Sequence, residues 1–362
     1  MKVLIVFNHP APYKVNIFNE MAKYVDLTVL FERTKAKNRP QDFYVANKFN
    51  FTHFFLKDGY VFNEGSLSNG VRKFIKEHHD EYDQIVMNGY SHVAEIKAIN
   101  YMKKHHISFS LLINGGIAKD KEFFLKRKFK SKMISSASFY MSPSSKSDDY
   151  LVAYGANKNR IYRYPYSNLS ESELHVKHED KVATRKDYNI PLDKTVFVNA
   201  SQFIERKNNM QLLSIFNGRK EFLILIGQGN QQEQYEQFIA KNNMENVMII
   251  PFKKKDELFR ILRSCDVFIT LAKEDIFGHT TLEALSCGLP VVSSNKVISS
   301  LEYIQNGKNG YIVDLNNKQE IVSAIENAPK ISKDNTLDSI KNNTYESCGK
   351  RLADILIEEN TK

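Results

Sequence analysis

Short, almost wholly apolar runs recur along this chain, each followed by a stretch whose apolar residues fall at helical spacing. A strand that is apolar at every position has to be buried on both faces, and a parallel sheet covered by crossover helices provides that burial. The pattern therefore predicts repeated β-α-β units. In the first half, strands are expected at residues 2–7, 25–31, 84–87, 109–113 and 139–142, with helices at 14–23, 67–78, 92–105 and 144–154. Residues 167–187 are rich in Ser, Glu, His and Lys and interrupt the rhythm, so a linker is expected there. The rhythm then restarts, with strands at 195–200, 221–226, 247–250, 267–270 and 290–293 and a short edge segment at 311–313. Helices are expected at 209–216, 231–242, 256–264, 280–287 and 318–327, and a last one at 345–357.

With 362 residues there is chain enough for two such domains. The expected fold is α/β: two Rossmann-like, doubly wound parallel-sheet domains facing an interdomain cleft. The first spans 1–166, the second 188–344, and a C-terminal helix within 345–362 is expected to close back onto the first. The formal net charge of +9 favours anionic partners, whether nucleic acid, anionic lipid or phosphorylated small molecules. Cys265, Cys287 and Cys348 form no CxxC pair, which argues against a disulfide framework and a structural zinc site. The apolar start, Val3 to Phe7, is too short for a signal peptide, and no window approaches the ~18 apolar residues of a membrane span. A cytoplasmic setting is the expectation.

The segment from Glu274 through Asp275, Phe277, Gly278, His279, Thr280, Thr281 and Glu283 to Gly288-Leu289-Pro290-Val291 carries the most chemistry. It reads as a strand end, an acidic loop, a helix starting near Thr280, and the next strand. Gly278 permits close backbone approach, and the amides of Gly278, His279, Thr280 and Thr281 at a helix start suit a diphosphate. Glu283, one turn in, is an acceptor-only carboxylate able to hold a ribose diol. Read alone, Thr280-x-x-Glu283 is equally a capping box, and Asp275 a dipole-complementing acid ahead of a helix.

The whole string resembles the donor-site signature of glycosyltransferase family 4 (group 1 glycosyltransferases), whose members have the GT-B fold. Asp275 and Glu283 have seven residues between them, with Phe277-Gly278 and Gly288-Leu289-Pro290-Val291 in place. The family usually carries Glu at the first acid, so Asp275 is a departure, and neighbouring Glu274 is a second candidate. The segment from Ser201 to Asn208 looks like the family's phosphate-binding segment. Lys207 matches its lysine, Gln202 replaces its usual arginine, and Arg206 is available instead. Gly227-Gln228-Gly229 and Phe252 match the nucleotide pocket and base contact. In the first domain His9, Tyr13, His92 and Asn114 are acceptor-side candidates; the histidines alone read as ordinary loop residues.

The resemblance implies sugar transfer, with retention, from a nucleotide-diphosphate donor of UDP or GDP type to a saccharide acceptor. Asp275, Lys207 and Glu283 would be the catalytic set. No DxD pair stands at a strand end, so neither a metal nor another cofactor is expected. Bacterial relatives imply lipid-linked acceptors in capsule, exopolysaccharide or lipopolysaccharide synthesis. A nucleotide-sugar epimerase is the alternative on this fold; a basic nucleic-acid-binding protein is a second, for which no standard motif appears.

One further feature stands outside the signature. In residues 119–133, Phe123, Phe124, Leu125 and Phe129 interleave with Lys121, Lys126, Arg127, Lys128, Lys130 and Lys132. A helix here would be basic and amphipathic, suited to an anionic membrane surface if its Phe residues face out, and an ordinary solvated helix if they pack inward.

Overall fold

The computed structural model describes residues 1–35, 48–56, 61–62, 65–66, 68–118, 121–174 and 181–362. The chain divides into two units, residues 1–168 with 342–362, and residues 169–341.

In the first unit, seven parallel strands are arranged in the order β3-β2-β1-β6-β7-β8-β9. They are β1 (Lys2–Phe7), β2 (Asp26–Phe31), β3 (Thr52–Phe55), β6 (Gln84–Met87), β7 (Ser110–Leu112), β8 (Tyr140–Ser142) and β9 (Ile161–Arg163). A two-residue antiparallel pair, β4 (Val61–Phe62) with β5 (Gly65–Ser66), stands apart. The crossover helices are α1 (Pro12–Met21), α2 (Gly70–His78), α3 (Val93–Lys104), α4 (Phe124–Ile134) and α5 (Ser145–Ala153). Leu4, Val6, Ile75, Ile99, Leu111 and Leu151 fill one core cluster between sheet and helices. Strands β1 and β2 are buried almost end to end, as a nearly all-apolar sequence requires.

The C-terminal helix α15 (Tyr345–Asn360) belongs to this first unit and packs on α1. The two helices approach so closely that a Cβ on Gly349 would lie 2.7 Å from the Met21 amide nitrogen and 2.8 Å from the Ile17 carbonyl oxygen. Under this contact Lys14 is fully buried, its ammonium 4.3 Å from the Tyr166 ring centre. Burial pushes its amine down to about 7, against a smaller opposing influence from Cys348.

The second unit has six parallel strands in the order β12-β11-β10-β13-β14-β15. They are β10 (Val196–Ala200), β11 (Phe222–Ile226), β12 (Val247–Ile250), β13 (Val267–Thr270), β14 (Val291–Ser294) and β15 (Gly310–Val313), the last an edge strand. Helices α8 (Asn209–Phe216), α9 (Gln232–Lys241), α10 (Lys255–Ser264), α11 (His279–Ser286), α12 (Ile298–Tyr303) and α13 (Lys318–Asn327) connect them, and α14 (Lys333–Asp338) follows. Counted in chain order, the strands run 3-2-1-4-5-6, the doubly wound dinucleotide-binding order. Its switch point lies between β10 and β13.

The stretch expected as a linker, residues 167–187, carries helices among its described residues. These are α6 (Glu171–Leu174) and α7 (Lys181–Asp187), and α7 packs on α10 within the second unit. Buried Arg185 fixes it, donating to the Ser264 carbonyl at 2.8 Å and to Asp266 at 2.8 Å. A polar composition hid this helix because its anchor is a charged side chain rather than an apolar stripe. Residues 175–180 of that stretch, and Leu67, Lys119 and Asp120 of the segments named above, lie outside the described residues.

Candidate functional site

Ligands of doubly wound sheets sit outside the C-terminal strand ends at the switch point, where neighbouring loops part in opposite directions. In the second unit those loops are 201–208, after β10, and 271–278, after β13. They are stitched together. Asn208, held at φ 59°, donates from its side chain to the Leu271 carbonyl at 2.9 Å. The Lys273 amide donates to the Arg206 carbonyl at 2.8 Å, and Arg206 Nη1 to the Glu274 carbonyl at 3.3 Å. At the centre, the Lys207 ammonium donates to the Asp275 carboxylate, both side chains being mostly buried. Glu274 and Gln202 are exposed. The two residues singled out from sequence as phosphate lysine and first acid are thus one ion pair across the switch point, 68 positions apart in the chain.

The acidic loop is held from behind by residues 296–299. The Asp275 amide donates to the Lys296 carbonyl (3.0 Å), the Ser299 amide to the Phe277 carbonyl (2.8 Å), and the Ser299 hydroxyl to the Gly278 carbonyl (2.7 Å). Gly278 has φ 87°, and a Cβ there would lie 2.7 Å from a Val297 methyl, so only glycine fits. Helix α11 starts from this glycine, one residue earlier than expected, with His279 as its first residue. The capping-box reading of Thr280 and Glu283 is therefore corrected, because the cap position belongs to Gly278, which has no side chain to bond. Thr281 is corrected too. Its amide closes the first turn on the Gly278 carbonyl at 3.1 Å, and its buried hydroxyl lies 3.0 Å from Ser300 Oγ. The Gly278 and Thr280 amides have no partner among the described residues. The Phe277 and His279 rings pack at 5.0 Å, and Glu283 is 8% exposed on the first turns of α11.

Gly227 and Gly229 have a local duty that the motif reading did not foresee. A Cβ on Gly227, at φ 152°, would fall 1.9 Å from the Ser201 carbonyl oxygen, and one on Gly229 would fall 2.4 Å from that of Phe203. The loop after β11 thereby presses against the loop after β10, with the Phe203 amide bonded to the Gln228 carbonyl at 2.9 Å. Phe252, after β12, is 54% exposed.

In the first unit the switch point lies between β1 and β6. His9 follows β1, His92 follows β6 and Asn114 follows β7, so the topology brings all three to the C-terminal end of the sheet. Tyr13 lies in the first turn of α1, its ring 6.4 Å from that of Tyr166. Asn114 donates to Asn88 Oδ1 at 3.4 Å, and Asn88 donates to the Leu112 carbonyl at 2.6 Å. His92 is the N-cap of α3, in a capping box with Glu95, which accepts from the Ser91 and His92 amides at 2.8 and 2.9 Å. Burial pushes the Glu95 carboxyl up to about 7, against these amides and Arg33. Burial, then neighbouring Glu95, pushes Glu32 up to about 8, with Arg33 opposing. Sequence reading missed Glu32, Arg33 and Glu95. The signal available was two charges directly after an all-apolar strand, and an acid three residues beyond His92.

Two Rossmann-type units, each with a polar cluster at its switch point, define the GT-B class of fold. Residues 180–347 match the family model for group 1 glycosyl transferases. Among curated proteins, an uncharacterised glycosyltransferase of Methanocaldococcus jannaschii is 27% identical over 45% of this chain and 46% of its own length. The N-acetyl-alpha-D-glucosaminyl L-malate synthase of Bacillus anthracis is 24% identical over 41% of this chain and 39% of its own. These matches span less than half the length of either relative. The solved structure of Anabaena HepE with UDP superposes with a TM-score of 0.78 at 17% identity, covering 99% of this chain and 100% of that one. The family match and the named relatives support a glycosyltransferase.

Proposed function

We propose that the protein moves a sugar from a nucleoside-diphosphate donor to a saccharide acceptor, with retention, as a member of glycosyltransferase family 4. The observation that carries the reading is the Lys207–Asp275 pair beside an uncapped helix start at the second unit's switch point. In this scheme the second unit holds the donor and the first the acceptor. Lys207, with exposed Arg206 and the Gly278 and Thr280 amides, takes up charge on the departing diphosphate. Preorganised donors aimed at developing charge lower barriers more than most other devices. Asp275 holds the sugar hydroxyls, and it is favoured over Glu274 because Glu274 is exposed and, among the described residues, bonded only through its backbone carbonyl. Glu283 binds the ribose, and Phe252 offers an aromatic face to the base.

A UDP-type donor is favoured by the likeness to HepE, whose structures were solved with UDP and with UDP-glucose. Ligand that binds only the native state raises stability by about 2.7 kcal/mol at a hundredfold excess over its Kd. For a unit of the size of residues 169–341 unfolding on its own, that is roughly 5–10 °C. In a thermal-shift panel of UDP, GDP, ADP and their sugars, one series should reach that shift, and Phe252→Ala should reduce it. A flat response across the panel would remove the reading. A nucleotide sugar converted to its epimer without acceptor would favour the epimerase instead.

Helix α4 supports a membrane-linked acceptor, as in capsule, exopolysaccharide or lipopolysaccharide assembly. Phe123 is 73% exposed, Phe124 69% and Leu125 61%, so they do not pack inward. Lys121, Lys126, Arg127, Lys128 and Lys132 are exposed around them, while Lys130 ties the helix to Glu122 at 2.6 Å. No described helix is long and apolar enough to cross a membrane. Each basic group near an anionic leaflet contributes about 1 kcal/mol, and each buried Phe about 1.5–3 kcal/mol. Wild-type protein should sediment with phosphatidylglycerol vesicles at low salt, and a Phe123→Ser/Phe124→Ser variant should bind at least tenfold more weakly. Wild type left in the supernatant would defeat the idea.

A further inference from the structure

The first unit has its own buried polar cluster, which the donor chemistry does not use. Glu32 leaves the end of β2, and His92 and Glu95 start α3 just after β6; β1 alone lies between these strands. One ligand atom from each of Glu32, His92 and Glu95 lies within 4.8 Å of the others. Glu95 has one oxygen committed to the Ser91 and His92 amides. Its other oxygen, Oε1, stands 3.6 Å from His92 Nδ1. The edge of a tetrahedral zinc shell built on bonds near 2.1 Å is about 3.4 Å. Glu32 is more than nine-tenths buried, and its Oε1 has no hydrogen-bond partner among the described residues. A buried carboxylate oxygen left this way is costly unless something positive reaches it. Arg33, also buried, is near enough to act on both carboxylates.

We propose that Glu32, His92 and Glu95 bind one divalent cation of the zinc type at the switch point of the first unit. Two carboxylates, one imidazole and a water complete a four-coordinate shell. The two amide bonds to Glu95 fix its carboxylate plane as outer-shell contacts do for ligating side chains. Gly89 guards this geometry: a Cβ there would lie 2.4 Å from Glu95 Oε1, so any other residue would push the ligand aside. The cation would join the loops after β2 and β6 and present an open coordination position at the sheet's ligand-binding end. It belongs to the first unit alone and is independent of the donor assignment in the second.

The test uses the full-length, untagged protein stripped with chelator and titrated with Zn2+, followed by calorimetry and by metal content after dialysis. One equivalent should be retained, with a raised melting temperature. Glu32→Gln keeps the side chain's shape and should weaken binding at least a hundredfold without altering the metal-free melting temperature. His92→Ala, on a partly exposed ring, should weaken it at least tenfold and decides the matter if Glu32→Gln does not fold. Cobalt substitution should give a d–d spectrum without a thiolate charge-transfer band. Failure of wild type to retain zinc, wild-type affinity in both variants, or a thiolate band would each overturn the proposal. None of these readouts depends on sugar transfer.

Discussion

Replacing Lys207 by alanine is expected to cut turnover by roughly 100- to 1,000-fold, the usual cost of deleting one preorganised donor to developing negative charge. The expectation follows from where Lys207 is held. Its backbone belongs to a short 3-10 turn, Glu205–Lys207, followed by Asn208 in the left-handed conformation, and its ammonium is fixed by Asp275. A group so placed is oriented before substrate arrives, and no reorganisation is needed as the diphosphate leaves. The loss should fall mainly on kcat, because charge on the leaving group grows toward the transition state while the bound donor already carries its phosphates. Alanine also leaves Asp275 without its cation, so circular dichroism and a melting curve must first show a folded second unit. Release of nucleoside diphosphate from whichever sugar donor the thermal panel selects gives the rate. Turnover within threefold of wild type in a folded variant would end the assignment of Lys207.

The second large effect is on stability. Gly227→Ala should lower the melting temperature by roughly 6–12 °C, corresponding to about 3 kcal/mol or more. Two costs combine: a non-glycine residue held at φ 152° costs on the order of 1–3 kcal/mol, and the new methyl would overlap the Ser201 carbonyl 1.9 Å away. Relief would require the loops after β10 and β11 to separate, which breaks the Phe203–Gln228 backbone bond. A melting temperature within 2 °C of wild type would show that these loops are not pressed together in solution. The prediction separates two uses of the same motif. If the glycines served only ligand approach, alanine would lower affinity and leave the unliganded protein as stable as before.

How much was legible in the sequence depended on the kind of force that fixes each element. Strands β1, β6 and β13 lie within the boundaries expected because their mostly apolar residues are buried in the sheet, and edge strand β12, half-buried, was found by its wholly apolar sequence. Strand β3 escaped notice: Thr52–Phe55 alternates exposed and half-buried positions at the sheet edge and carries a histidine. Strand β9, Ile161–Arg163, is half-buried at the other edge and ends in a charge. Helix α7 was concealed because a buried arginine anchors it. At the candidate site, the order of Asp275, Phe277, Gly278 and Glu283 along one loop and helix could be read directly. The partnership of Lys207 with Asp275 depends on strand order, which places β10 beside β13. Glu32 and Glu95 were missed for the same reason: β2, β1 and β6 are neighbours in space but not consecutive in a list of apolar runs.

The return of α15 to the first unit has a consequence for biogenesis. Residues 1–168 emerge from the ribosome before residues 342–362, and the surface of α1 that Gly349 and Cys348 cover stays open until that later segment is made. The second unit, continuous from 169 to 341, meets no such delay. The first unit is therefore begun before the second and completed after it, and for that interval the nascent chain carries an uncovered helix face holding Ile17, Phe18 and a half-enclosed lysine. A stop codon just ahead of residue 342 would thus damage a unit begun more than 300 residues earlier.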